Sequence, residues 1–140
     1  MARYNYSMAK YLSTHIDVLG LLSDMIMEVS VIKQSVQQIM QEAVKVSSKT
    51  FGDSLKQVWL FGSHARGEAN DDSDIDFMVV LTKPVESWKY ICTVYNDFTV
   101  DMLNRYGELP SVFITHEANF IEEPAQLYKS VKKEGMLVYG

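Results

Sequence analysis

Two short apolar runs separated by a polar loop place the strongest constraint on how this chain folds. The first run, residues 58–61 (VWLF), leads directly into residues 62–63 (GS), and ten residues later the segment 74–76 (DID) opens the second run. Short apolar runs bounded by glycine and polar residues are typical of strands buried in a sheet. The sequence therefore predicts two strands, about 56–61 and 75–81, joined by a polar loop.

Two carboxylates stand at the start of the second predicted strand. Successive side chains of a strand point to opposite faces, so Asp74 and Asp76 are expected on one face while Ile75 and Phe77 lie on the other. Like charges about 4 Å apart repel by about 1 kcal/mol in water and about 4 kcal/mol in a partly enclosed site. A divalent cation removes that cost, and oxygen ligands without a nearby cysteine indicate magnesium, with manganese as a substitute.

The end of the first strand has the features of a phosphate-binding turn. Gly62 allows the backbone to approach an anion closely, and the Ser63 hydroxyl can donate a hydrogen bond. Arg66 has two interpretations: it neutralises phosphate charge, or it is a surface arginine paired with Glu68 or Asp72. A phosphate turn facing paired carboxylates would hold a nucleoside triphosphate with bridging metal, and nucleotidyl transfer is the reaction class that such a site favours.

The N-terminal third of the chain is predicted to be helical from about 15 to 49, with a break near Ser30 or Ser35. Packing on the domain's own sheet is favoured for 36–49, whereas 15–32 is also suited to a contact between two copies of the chain. This helical region carries apolar residues at alternating spacings of four and three: Val18, Leu22, Met25, Val29, Ile32, Val36, Ile39, Ala43 and Val46.

The segment 85–106 allows two interpretations. Its aromatic and branched residues are compatible with a hairpin turning at 96–97, but a single helix is favoured because apolar residues repeat at helical spacing up to Tyr106-Gly107. The repeating residues are Trp88, Ile91, Tyr95, Phe98 and Met102. Pro84 is expected in the first turn of that helix.

The rest of the chain predicts a third strand and a last helix. The strand is expected at 109–115, and the helix at 124–134 with Leu127 and Val131 on its inner face. An apolar tail, 136–139, is expected to dock on the core. The predicted fold class is α/β (α+β): a small mixed sheet of three to four strands backed by helices.

Composition supports one domain over residues 1–140, with a helical N-terminal region (1–50) and a sheet-containing core (51–140). The net charge of −5 argues against a nucleic acid as the main partner. No apolar stretch approaches the roughly 20 residues of a membrane span, and no signal-peptide core is present, so a cytoplasmic protein is expected. Cys92, Trp59 and Trp88 are expected in the core, and His64 in solvent.

The segment GSHARGEANDDSDID, residues 62–76, resembles the signature of the DNA polymerase beta-like nucleotidyltransferases. The preceding VWLF and the Ala-Arg-Gly after the serine are similar to the minimal nucleotidyltransferases (MNT type) of prokaryotes. The resemblance implies the polymerase beta-like fold, with Gly62 and Ser63 binding the triphosphate and Asp74 and Asp76 binding magnesium. It also implies an enzyme that moves a nucleoside monophosphate, AMP from ATP, to a hydroxyl.

The same resemblance implies a protein partner, since many minimal members are antitoxins paired with a HEPN-family toxin. Two alternatives stay open: a weakly active or inactive nucleotide-binding module that caps a partner, and a small-molecule (aminoglycoside-like) nucleotidyltransferase. Active members carry a third carboxylate on the adjacent strand. Asp101 would supply it if 98–103 were that strand, whereas the helical interpretation brings the non-acidic Ser111 near this place.

Overall fold

A four-stranded mixed sheet forms the centre of the computed structural model, which describes residues 32–140. The strands are β1 (Leu55–Phe61), β2 (Ile75–Leu81), β3 (Pro110–His116) and β4 (Met136–Tyr139), in the order β3-β2-β1-β4. The predicted fold class and the first three strands are confirmed. The predictions for residues 15–31, including a contact between two copies of the chain, lie outside the described residues.

The direction of the strands brings the predicted site residues to one end of the sheet. β1 and β2 are antiparallel and pair Phe61 with Asp76, while β2 and β3 are parallel and pair Asp76 with Ser111. The apolar tail pairs as β4 with β1 in antiparallel fashion, opposing Leu60 to Met136. The end of β1 and the starts of β2, β3 and β4 therefore lie at the same end of the sheet.

Helix α1 (Gln34–Phe51) and the helix that spans most of 85–106 cover one face of the sheet. Within α1, Val36, Ile39 and Ala43 are buried against the sheet, which confirms the packing predicted for 36–49. The helix begins close to the predicted break at Ser35 and ends in a short 3-10 turn, Gly52–Ser54, whose Gly52 has a positive φ of 53°. This face holds the larger apolar core because its strand residues, such as Phe77 and Val79, point toward the two helices.

Most of the segment 85–106 is helical, as the sequence favoured. The first residue of the helix and the extent of its buried face differ from the prediction. The next helices in chain order are the short α2 (Ser63–Arg66) and then α3 (Trp88–Tyr106), which ends at Gly107 in the left-handed conformation. Pro84 lies in the loop before α3, whose N-cap is Ser87. The buried residues of α3 are Ile91, Tyr95, Phe98 and Met102.

Two residues of α3 expected in the core are exposed instead. Trp88, 55% exposed, is the first residue of the helix and lies about one turn before the buried stripe begins at Ile91. Cys92 is exposed because it follows Ile91 directly and is rotated about 100° away from that stripe. The repeat of apolar residues located the helix correctly but did not define how far its buried face extends.

The second face of the sheet is covered by α4 (Glu117–Glu122) and α5 (Gln126–Glu134). A smaller core of Trp59, Phe61, Met78, Val80, Phe120 and Val131 lies there. Trp59 is buried as predicted, whereas Leu127 is 37% exposed, since it lies one turn before Val131 at the rim of this core. Within residues 32–140, no helix combines the length and the hydropathy required to cross a membrane.

Candidate active site

The site is built around a sharp turn at Gly62, directly after β1. Its φ of 75° and ψ of −155° belong to a backbone region that side chains other than glycine rarely adopt. A Cβ atom at this position would overlap Oδ2 of Asp76 and stand 3.3 Å from its Cγ. Glycine is therefore required both by the backbone conformation and by the close approach of the Asp76 carboxylate.

Helix α2 continues from this turn as a single helical turn. The Arg66 amide donates to the Gly62 carbonyl at 3.2 Å, and the Glu68 amide donates to the Ser63 carbonyl at 2.9 Å. Gly67 then takes the left-handed conformation, with φ 73°, and releases the chain into the loop. Ser63 is half-buried at the first position of α2, directly after the turn that contacts Asp76.

The loop from 67 to 74 is held by its own polar groups. The Asp72 amide donates to Oδ1 of Asn70 at 2.9 Å, and the Asn70 amide donates to Oγ of Ser73 at 3.0 Å.

The prediction that His64 faces solvent is wrong: it is 4% exposed, and its Nε2 lies 3.4 Å from the Ser73 carbonyl oxygen. The imidazole therefore lies against the end of the loop, two residues before β2 begins.

Asp74 and Asp76 lie at the start of β2: Asp74 directly precedes the strand, and Asp76 is its second residue. Asp74 is exposed and Asp76 is half-buried. Burial is the main cause that raises the pKa of Asp76 above its ordinary 3.8, and the nearby charge of Asp74 adds to it, while His64 and Arg66 act in the opposite direction. A carboxylate that is costly to ionise next to a second carboxylate is an arrangement that a divalent cation relieves.

In the described part of the chain, the candidate metal site has two carboxylates, Asp74 and Asp76. In the part of the chain that the structure describes, no cluster of three or more His, Cys, Asp or Glu side chains is arranged to hold a metal ion. Magnesium commonly takes one or two protein carboxylates and completes its shell with phosphate oxygens and water. The pair therefore fits a magnesium ion that arrives with a triphosphate.

Arg66 pairs with two carboxylates, one of which, Glu68, was predicted from the sequence. Its Nε lies 2.9 Å from Glu68 Oε2, and its Nη1 lies 3.3 Å from Glu134 Oε2 at the end of α5. The hydrogen bond that Arg66 donates to Glu68 contributes most to raising the pKa of Arg66. Because these groups are largely exposed, the pairs are weak. Arg66 is the last residue of α2, three residues after Ser63.

The structure separates Asp101 from this site. Asp101 lies on the exposed side of α3, where its Oδ2 accepts a hydrogen bond from Arg105 Nη1 at 3.1 Å. The residue opposite Asp76 on β3 is Ser111. The residue opposite Asp76 is thus a half-buried serine and not an acidic residue, as the helical interpretation of 85–106 expected.

An aromatic pair beside Asp76 was missed by sequence reasoning. The rings of Phe61 and Phe113 lie 5.7 Å apart, centroid to centroid, and both residues are on the Asp76 face of the sheet. Phe113 is 40% exposed although it is a large apolar residue on a strand. Alternation along β3 could have indicated it, since Ser111 and Phe113 are two residues apart and share a face.

The geometry of turn, short helix and paired carboxylates agrees with the comparison to known families. The model of the nucleotidyltransferase domain family matches residues 40–134, and the chain belongs to this family. The match covers strands β1, β2 and β3, the turn at Gly62 and both carboxylates, and it ends just before β4.

Two proteins of Methanocaldococcus jannaschii, both provisionally assigned as protein adenylyltransferases, are similar in sequence. The first is 31% identical over 75 residues, which is 54% of this chain, and the chain spans about half (51%) of the length of that relative. The second is 25% identical over 104 residues, covering 74% of this chain and 97% of the relative.

Solved structures with the same fold include two toxin–antitoxin complexes. One, crystallised with AMP-PNP, contains a chain that superposes with a TM-score of 0.51 at 16% identity, covering 72% of this chain and 73% of that chain. The other, a mutant of the toxin–antitoxin pair MntA–HpeT, gives a TM-score of 0.50 at 13% identity, with the same coverage of 72% and 73%. At such identities the likeness establishes the fold alone.

Proposed function

We propose that this protein is a metal-dependent nucleotidyltransferase that transfers AMP from ATP to a hydroxyl of a protein partner. The observation that carries the proposal is the contact between the Gly62 turn and Asp76, with Asp74 beside it. The turn allows an anion to approach the backbone, and the carboxylate pair favours a cation. The two features are in direct contact, because Asp76 touches Gly62. A triphosphate with bound metal satisfies both halves of this arrangement at once.

In this proposal Gly62 and Ser63 hold the triphosphate, and Asp74 and Asp76 hold magnesium or manganese. The metal would supply charge neutralisation at the phosphates. Arg66 would turn from its exposed partners Glu68 and Glu134 toward phosphate oxygens. Exchange of weak surface ion pairs for a phosphate contact costs little, because exposed pairs contribute about 0–1 kcal/mol.

The protein acceptor and the antitoxin role rest on likeness to other proteins. Both similar proteins of M. jannaschii are provisionally assigned as protein adenylyltransferases. The sequence of residues 62–76 also resembles the minimal nucleotidyltransferases, many of which pair with HEPN-family toxins. A helical toxin of this kind is therefore the partner that we propose for this chain.

The site assignment is tested by calorimetric titration of ATP with and without magnesium. We expect binding that requires magnesium and that disappears when Asp74→Asn and Asp76→Asn are combined. The matched control is Asp101→Asn, which removes an exposed carboxylate of α3 that pairs only with Arg105 in the described part of the chain. Binding of ATP by the double variant as strong as that of the natural chain would overturn the assignment, and so would its loss in the control.

A second candidate function is an interaction module that binds nucleotide but transfers it slowly or not at all. The observation that favours it is Ser111, a residue unable to act as a base, opposite Asp76. Radiolabelled transfer from ATP to a co-expressed toxin-like partner would contradict this candidate. A partner complex that forms equally well with the double Asn variant, without any labelled product, would support it.

A further inference from the structure

The side of the site from which an acceptor must approach follows from the strand order. In-line transfer places the attacking oxygen and the leaving oxygen on opposite sides of the phosphorus. The turn proposed to hold the departing pyrophosphate follows β1, and Asp76 lies on β2, the neighbouring strand. The attacking hydroxyl therefore approaches over the third strand in that row, β3.

Large apolar side chains are exposed on this approach side. Phe113 is 40% exposed and Leu109, just before β3, is 43% exposed. Phe113 lies on the Asp76 face because Asp76 pairs with Ser111 in a parallel ladder. Ordinary strand dimensions separate the Cα atoms of Asp76 and Phe113 by about 8 Å. A side chain flanking the reacting hydroxyl of a bound peptide would reach this ring.

Among the described residues, the outer side of β3 also has no paired strand. β3 is the edge strand, and within residues 32–140 no further strand pairs with it. An unpaired strand edge can bind an extended peptide through main-chain hydrogen bonds, while neighbouring side chains select its residues. Both the backbone edge and the exposed side chains of Leu109 and Phe113 thus suit an extended segment with apolar side chains.

We infer that the β3 side of the site, formed by Leu109, Ser111 and Phe113, is the docking surface for the acceptor, an extended protein segment whose hydroxyl residue is flanked by apolar side chains. This inference rests on the proposed function and specifies its acceptor. In the transfer, the acceptor oxygen bonds to the α-phosphorus of ATP and the bond from that phosphorus to the bridging oxygen of pyrophosphate breaks. Pyrophosphate leaves, and the hydroxyl proton passes to water.

The test uses the full chain, magnesium, ATP labelled at the α-phosphate, and synthetic peptides. Each peptide carries a single serine, threonine or tyrosine, flanked on both sides by apolar, acidic or basic residues. We expect preferential labelling of the apolar-flanked peptides. Phe113→Ala is expected to raise the KM for these peptides about tenfold, as the loss of one buried aromatic contact implies, with little change in kcat. Phe113→Leu should restore most of the preference.

The matched control is Val100→Ala, which alters a residue that is 56% exposed on α3, the helix that covers the opposite face of the sheet from Phe113. Equal labelling of all peptide classes, an unchanged KM in Phe113→Ala, or the same loss in the control would overturn the inference. Absence of labelling while ATP still binds would overturn it too, but would leave the nucleotide-site assignment standing. Loss of magnesium-dependent ATP binding by the natural chain would overturn the proposed function itself.

Discussion

At the scale of single residues, the site joins two groups that are costly for the fold. Gly62 adopts a backbone conformation that favours glycine, and Asp76 keeps a carboxylate half-buried beside another carboxylate. Neither feature stabilises the ligand-free protein. Costs of this kind concentrate where a protein binds its ligand, because the ligand compensates them.

The variant Asp76→Asn is expected to stabilise the ligand-free protein at pH 7 and to abolish stabilisation by ATP and magnesium. Burial, and then the charge of Asp74, raises the pKa of Asp76 above 3.8. The stability linked to this group is therefore full below the unfolded value and is lost as the pH rises through the folded value. At pH 7 the ionised carboxylate costs free energy that a neutral amide does not.

Urea unfolding at pH 7, with and without ATP and magnesium, measures both effects. Asp97→Asn, at an exposed position of α3, is the control and should change neither. A decrease in ligand-free stability of Asp76→Asn would contradict the cost that burial assigns to this carboxylate.

Gly62→Ala should lower the free energy of unfolding by roughly 3 kcal/mol and remove ATP binding, because the new Cβ is strained and displaces Asp76. Gly107→Ala is the matched control: its φ is also positive, at 70°, but nothing lies within 4 Å of the added Cβ. Backbone strain alone, about 1 kcal/mol, is expected there, with ATP binding intact. Thermal unfolding and calorimetry distinguish the two, and equal effects would disprove the role of the Asp76 contact.

At the scale of elements, α1 and α3 are joined by a buried polar contact. Ser47 of α1 is fully buried, and its Oγ lies 2.8 Å from the Tyr95 hydroxyl oxygen of α3. The ring of Tyr95 also stacks on Phe51 and meets the edge of Phe98. The contact satisfies both hydroxyl groups inside an otherwise apolar core, so it aligns the two helices that cover the first face of the sheet.

Tyr95→Phe should cost about 1–3 kcal/mol of unfolding free energy, because Ser47 is left without this partner. Burial raises the pKa of Tyr95 from 10.0 to about 12, with the Ser47 hydrogen bond opposing the shift. The natural chain should therefore lose stability as the pH rises from about 10 to about 12, since only the unfolded chain releases the proton there.

Unfolding curves across that pH range should show a smaller decrease for Tyr95→Phe than for the natural chain. Tyr90→Phe, at a residue that is 59% exposed, is the control and should keep both the stability and the pH dependence. Combining Ser47→Ala with Tyr95→Phe should recover part of the loss. A pH dependence identical in all variants would show that Tyr95 is not responsible for it.

At the scale of the whole molecule, one sheet separates two cores. The larger contains α1 and α3, and the smaller contains Trp59, Phe61 and Val131 with the two short helices α4 and α5. Alternate residues of β1 and β2 contribute to different cores, so neither core can loosen without exposing the other side of the same strands. The single domain expected from chain length stays a prediction, and the two cores offer a test of it.

We expect one cooperative unfolding transition. Ile39→Ala in the larger core should cost about 2–5 kcal/mol, and Val131→Ala in the smaller core about 2 kcal/mol. Each variant should shift the midpoint of unfolding by the same amount in far-UV circular dichroism and in Trp59 fluorescence. The fluorescence is measured in a Trp88→Phe background, because Trp88 is exposed and would add its own signal. Leu103→Ala, at a residue 47% exposed on α3, is the control. A Val131→Ala shift seen by fluorescence alone would indicate two independent units.

Local sequence patterns predicted much of the fold. The apolar runs before Gly62 and after Asp74 predicted β1 and β2, and the helical repeat that ends at Gly107 favoured α3 over a hairpin. They succeeded because the alternation of strands and the period of helices are properties of neighbouring residues. Helix α4 escaped prediction because six residues are too few to show a period.

What the sequence determined by itself is the pair of strands, the glycine turn and the acidic pair, since each depends on a few consecutive residues. The sequence left the position beside Asp76 open between Asp101 and Ser111, and the tertiary structure pairs Asp76 with Ser111. It alone decided that His64 is buried, that the tail becomes strand β4, and that Phe113 lies on the Asp76 face. Those outcomes depend on strand register and on packing between distant segments. Register moves a side chain from one face of a sheet to the other with a shift of one residue. Alternation along β3 gives the residues that share a face, but not the one that lies opposite Asp76.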